Sequence, residues 1–134
     1  MFDTGVNADH VDLAGRVNVK VPGWSAFDDA VGAGDCQGHG THCAGTIAGT
    51  LYGVAKKASI VSVRVLGCDG SGSTAGIIGG IDWMTEQVKS GSVEGPVVGS
   101  MSLGGGVSAA QNAAVASAVE AGITVVVAAG NDNG

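Results

Sequence analysis

Of the three histidines in 134 residues, His39 has the most suggestive setting. It lies between glycines in Gly38-His39-Gly40-Thr41-His42-Cys43-Ala44-Gly45-Thr46. Glycine on each side lets another backbone or a substrate approach the ring closely, and imidazole is the side chain suited to moving a proton near neutral pH. Cys36, His39, His42 and Cys43 also place four metal-ligating side chains within eight positions. Their Cys-x2-His-x2-His-Cys spacing matches no usual zinc pattern, and the Glu of His-Glu-x-x-His is missing. A carboxylate in Asp3-Thr4-Gly5 and an amide in Ala128-Ala129-Gly130-Asn131 sit in similar glycine-containing turns. An aspartic-peptidase use of Asp-Thr-Gly needs two carboxylates to share a proton, and no second copy occurs. Taken singly, these residues also fit a plain turn or a hydrogen-bonded core histidine.

Gly70-Ser71-Gly72-Ser73-Thr74-Ala75 satisfies Gly-x-Gly-x-x-Ala between an expected strand and an expected helix. This is the dinucleotide-binding fingerprint, which also requires an acidic residue about 20 positions on, at the end of the next strand. That strand ends in Ser102-Leu103-Gly104, and Glu94 precedes it. A glycine-rich turn opening a helix is the better reading, with a nucleotide-binding α/β domain as the alternative.

The elements that must carry these residues follow from pattern. Ser59 to Leu66 is dominated by β-branched residues and bounded by Gly67, as expected for a buried strand. Thr74 can cap a helix whose apolar positions Ile77, Ile78, Ile81, Met84 and Val88 share one face, with Gly91 as its stop. The cycle repeats: Pro96 to Leu103 as a strand, Ser108 to Ala121 as a helix ended by Gly122, and Ile123 to Ala129 as a strand. Residues 5 to 35 read as loops with short strands around Arg16 to Val21. Strand–helix alternation predicts an α/β fold, a parallel β-sheet flanked by helices. Ligands of such sheets sit beyond the carboxyl ends of strands, which points to the segments after Leu66, Leu103 and Ala129.

Composition narrows the partners. Twelve acidic residues against six basic give a net charge of −6, and the longest basic cluster is Lys56-Lys57, so a nucleic-acid backbone would be repelled. Apolar runs are short and broken by glycine, far below the roughly 20 residues that cross a bilayer. Three cysteines allow at most one internal disulfide.

The order Asp3, His39 is that of the subtilisin triad, and the sequence resembles the subtilisin-like serine proteases, within them the proteinase K and aqualysin branch. The resemblance is carried from end to end by Asp3-Thr4-Gly5, His39 to Thr46, Tyr52-Gly53-Val54-Ala55-Lys56, Val65-Leu66, Gly70-Ser71-Gly72, Ser102 to Gly106 and Ala128 to Asn131. It implies a three-layer fold, with Asp3 as the triad carboxylate, His39 as the general base and Asn131 as the side-chain donor of the oxyanion hole. It implies that a polypeptide substrate lies between two edges, Gly70-Ser71-Gly72 and Ser102-Leu103-Gly104, and is read largely through its backbone. It further implies a Cys36–Cys68 disulfide with Cys43 left free, and a calcium ion held by Asp28, Asp29 and Asp35, for which a solvated acidic loop is the alternative. No organic cofactor is expected. The family's nucleophile motif Gly-Thr-Ser-Met-Ala does not occur, Ser100 and Ser102 lie in another motif, and the strand leading into Asp3 is reduced to Met1-Phe2. Residues 1–134 are therefore expected to be a partial catalytic domain, incomplete at both ends and inactive alone, from a secreted enzyme that is monomeric at full length. A non-catalytic pseudo-protease is the other alternative.

Overall fold

The computed structural model describes residues 1–132. Among these residues five strands form a single sheet: β1 (Phe2–Asp3), β2 (Trp24–Ser25), β3 (Val63–Arg64), β4 (Val98–Met101) and β5 (Thr124–Val127). Their order is β2-β3-β1-β4-β5, and every pairing is parallel. Three helices accompany them, α1 (His39–Ala48), α2 (Thr74–Lys89) and α3 (Ala109–Glu120). The α/β class and the β3-α2-β4-α3-β5 succession agree with the pattern of the sequence.

The strands are shorter than the apolar runs suggest. The expected strand around Arg16 to Val21 is instead a single bridge between Val17 and Ile60. The side-chain oxygen of Asn18 accepts from the amides of Lys20 and Val21, turning the chain before a ladder can extend. The strand of this region is β2, a few residues on. Helix α2 is capped by Ser73 rather than Thr74: Ser73 is extended, and its Oγ accepts from the Gly76 amide at 3.0 Å. Ser108 caps α3 in the same way, through the Gln111 amide.

Alternation along β1 decides which layer each residue meets. Phe2 joins Val63, Val65 and Met101 in a core closed by Ile77, Ile81 and Met84 of α2 and by Ala114 and Ala118 of α3. Met1 turns the other way, into a second core with Val6, Leu13, Ile60 and the Ala44 and Ala48 stripe of α1. Asp3 shares the Met1 side of the pleat and therefore faces α1. The sheet is thus sandwiched, with α1 on one face and α2 and α3 on the other.

Candidate active site

Asp3 ends the central strand and is fully buried, while His39 begins α1. His39 Nδ1 lies 2.7 Å from Asp3 Oδ1, with the imidazole side chain 48 % exposed above a carboxylate that is 0 % exposed. The same oxygen accepts from the Thr4 amide at 2.7 Å, and Oδ2 has no partner among the described residues. An ionised carboxylate can only accept, so Nδ1 is the donor, and in the neutral ring Nε2 is the nitrogen left with a lone pair.

This approach depends on glycine. A Cβ on Gly40 would collide with the Gly5 carbonyl oxygen and press on Thr4 and Asp3. Close contact of α1 with the end of β1 is therefore open only to a residue without a side chain. One turn along α1, Cys43 places its Sγ 3.8 Å from His39 Nδ1 and is a free thiol. Burial raises its pKa; Ser102 donation opposes that, and the nearby Asp3 charge adds to it. Asp3, His39 and Cys43 hold a carboxylate oxygen, a ring nitrogen and a sulfur within 4.8 Å of one another, the one such trio among the described residues.

The first turn of α1 has an unusual cap. Gly38 stands at the N-cap with φ of 112° and contributes no side chain. The open amides are taken by other side chains: His39 N by Gln37 Oε1, Gly40 N by Thr4 Oγ1 and Thr41 N by Asp35 Oδ2, at 2.7, 2.8 and 2.9 Å. Asp35 also accepts from Thr4 Oγ1, the Gln37 and Gly38 amides and Thr41 Oγ1. Burial alone would raise its pKa, but donation from the Thr41 hydroxyl and the Gly38, Gln37 and Thr41 amides outweighs this and holds it at about 2.

Those bonds bear on calcium. Five donors occupy the roughly four lone-pair directions of the Asp35 carboxylate. Asp29 is bound by Arg64 through both oxygens, at 2.7 and 3.0 Å, and Asp28 is exposed. Asp28, Asp29 and Asp35 do not present a set of free carboxylates to a calcium ion. The zinc grouping fails as well, because Cys36 is bonded to Cys68. Arg64, which the sequence reading passed over, lies 1 % exposed beneath that disulfide. Its Nη2 is 3.6 and 3.7 Å from the two sulfurs, and its guanidinium covers the Phe27 ring at 4.7 Å. A charge inside the otherwise uncharged, largely β-branched run Ser59 to Leu66 was the available signal.

Sheet order positions the remaining candidates. With β3 and β4 flanking β1, the segments leaving them stand on either side of Asp3: Gly70-Ser71-Gly72 after β3, and Ser102-Leu103-Gly104 after β4. The first closes as a turn, in which Gly67 N donates to the Ser71 carbonyl and Asp69 accepts from the Ser71 amide and hydroxyl. With Ser73 occupying the α2 amide, this turn is self-contained rather than an open phosphate cradle. Asn131 follows β5 at the same end of the sheet, exposed and one strand further from Asp3. The structure therefore brings Asp3 and His39 into contact and sets Ser102 against Cys43 beside them, while Gly70-Ser71-Gly72 and Asn131 share only their edge of the sheet.

A parallel α/β sheet whose central strand delivers a buried carboxylate to a half-exposed imidazole is a frame for activating a nucleophile. The comparisons with known proteins give that frame its family: the Peptidase S8 description, Subtilase family, matches residues 1–134, and the chain belongs to the subtilase family. It is 52 % identical over 133 residues to the alkaline serine exoprotease A of Vibrio alginolyticus, covering 99 % of this chain and 23 % of that protein. It is also 52 % identical over 134 residues to an extracellular serine proteinase of Thermus sp. (strain Rt41A), covering 99 % of this chain and 30 % of that protein. Among solved structures, that of a cold adapted subtilisin-like serine proteinase superposes with a TM-score of 0.88 at 48 % identity, over 98 % of this chain and 45 % of that one. The chain thus spans a quarter to a third of the length of these curated relatives.

Proposed function

We propose that residues 1–134 are part of the catalytic domain of a secreted serine endopeptidase. The observation carrying this reading is the 2.7 Å contact between buried Asp3 and half-exposed His39 at the carboxyl end of the central strand. In this reading Asp3 holds the imidazole tautomer and stabilises the imidazolium. His39 Nε2 takes the proton of a serine hydroxyl as it attacks the scissile carbonyl and returns it to the leaving amine. Asn131 donates to the oxyanion that develops in the tetrahedral state. The segments Gly70-Ser71-Gly72 and Ser102-Leu103-Gly104 pair with the substrate backbone on either side. The serine must reach His39 from a segment that the sequence of 134 residues does not contain. The Cys36–Cys68 bond is consistent with an oxidising destination.

The test is to read the gene beyond the codon for Gly134, express its full product and assay peptide hydrolysis. The expected result is a frame carrying Gly-Thr-Ser-Met-Ala, with activity that His39→Ala lowers by about 10⁴-fold or more, because triad members act as a unit. A different residue at the serine, or unchanged hydrolysis by His39→Ala, overturns the reading.

A further inference from the structure

We propose that Asp35 is a positioning residue for the Asp3–His39 pair: its carboxylate brackets the end of β1 to the first turn of α1 and so fixes the imidazole over Asp3. The proposal rests on reading that pair as a proton relay. His39 is half exposed, so packing alone does not orient its ring. The ring's place is set by the backbone that bears it, by the short bond to Asp3 and by the longer contact with Cys43 Sγ one turn on. Asp35 acts on that backbone from both sides. Its Oδ1 accepts from Thr4 Oγ1 at 2.9 Å, and Thr4 immediately follows Asp3. Its Oδ2 accepts from the amide and hydroxyl of Thr41, two residues after His39. Thr4 Oγ1 completes the bracket by accepting from the Gly40 amide at 2.8 Å.

The chemistry selects aspartate over its amide. All five groups facing the carboxylate donate: the Thr4 and Thr41 hydroxyls and the Gln37, Gly38 and Thr41 amides. An Asn at this position would turn an NH₂ group against donors on one side and leave them unpaired. The negative charge also meets the amino end of α1, which has no acidic residue in its first turn and no cap from Gly38.

The experiment follows exchange with water of the His39 Nδ1 proton by NMR in the ¹⁵N-histidine-labelled chain. Asp35→Asn should speed exchange by about tenfold or more, the factor carried by one charge-assisted hydrogen bond. Thr4→Val should do the same, and Thr4→Ser, which keeps the hydroxyl, should restore the slow rate. Asp12→Ala removes the 2.7 Å acceptor of the Leu51 amide, a loop bond away from the pair, and should leave exchange unchanged. A native amide spectrum with unchanged exchange in Asp35→Asn overturns the proposal, as does equal acceleration in Asp12→Ala. If Asp35→Asn does not fold, the contrast between Thr4→Val and Thr4→Ser decides. Absence of the Nδ1 proton in the unaltered chain refutes the pair and the proposal together. A full-length product without peptidase activity would end the proposed function and leave this exchange result standing.

Discussion

On the β3 side of the central strand, the chain from Asp29 to Thr41 is fastened by directional contacts. Ser62 bonds the Ala33 carbonyl, Arg64 grips Asp29 and Gly32, Asp35 gathers five donors, and Cys36 is covalently tied to Cys68. On the β4 and β5 side, α3 buries little more than Ala114 and Ala118. There Val98, Val126 and Val127 stand 58, 49 and 67 % exposed. That flank is held by its ladder, the Ser108 cap and non-directional apolar contact. The difference teaches where precision is needed. Hydrophobic contact brings elements together but tolerates sliding, whereas hydrogen bonds and a cross-link fix a ring nitrogen to within tenths of an ångström.

If the directional flank is as constrained as its bonds indicate, changes there should be costly and changes opposite should not. Reducing Cys36–Cys68, whose ends are 32 residues apart, should cost about 3–4 kcal/mol by loop-closure entropy. Thermal melts with and without reductant measure this, and an unchanged Tm would remove the bond from the comparison. Gly40→Ala comes next, at about 2–3 kcal/mol, because its Cβ meets the Gly5 backbone, which has no side-chain freedom to yield; urea unfolding checks it. Acid tests the same flank more gently. Asp35 is held at about 2 in the folded chain against an ordinary 3.8, so its stabilisation is complete above pH 4 and is lost as pH falls towards 2. Wild type should lose urea resistance across that window more steeply than Asp35→Asn.

Smaller effects sharpen the contrast. Gly45→Ala, on the open side of the same helix where a Cβ meets nothing within 4 Å, should stabilise by about 0.5–1 kcal/mol. Two glycines five residues apart in α1 then give opposite signs. Val127→Thr on exposed β5 should stay within about 0.5 kcal/mol while improving solubility, measured as the concentration at which the chain precipitates.

How much of this was legible in the sequence depended on the range of the interaction. The alternation of strands and helices and the apolar stripe Ile77, Ile81, Met84 are local patterns, and the structure keeps them. His39 stood out because glycines flank it on both sides, whereas Asp3, with one glycine two residues on, took its role from the triad order and the resemblance. Asp35 entered the sequence reading only as a calcium candidate implied by the resemblance, because acidic residues in a glycine-rich loop look alike until their donors are known. Part of its role is local all the same: Oδ1 accepts from residues two and three positions ahead, an Asx pattern that Asp35-x-x-Gly38 could have signalled. Its bond to Thr4, 31 residues away, has no counterpart in local pattern. Arg64 was hidden in the same manner, since only the tertiary fold sets Asp29, Phe27 and the disulfide around it.

Strand β1 has a consequence for how the chain reaches this state. It holds the middle of the sheet, yet it precedes both neighbours in sequence: Phe2 pairs with Val63 on one side and Met101 on the other. One partner lies about 60 residues further along the chain and the other about 100, so both of its pairings are long-range. Such long-range closure makes folding slow and leaves strand edges exposed on the way. Asp3 is therefore set in place by pairings made across the sequence rather than within its own segment.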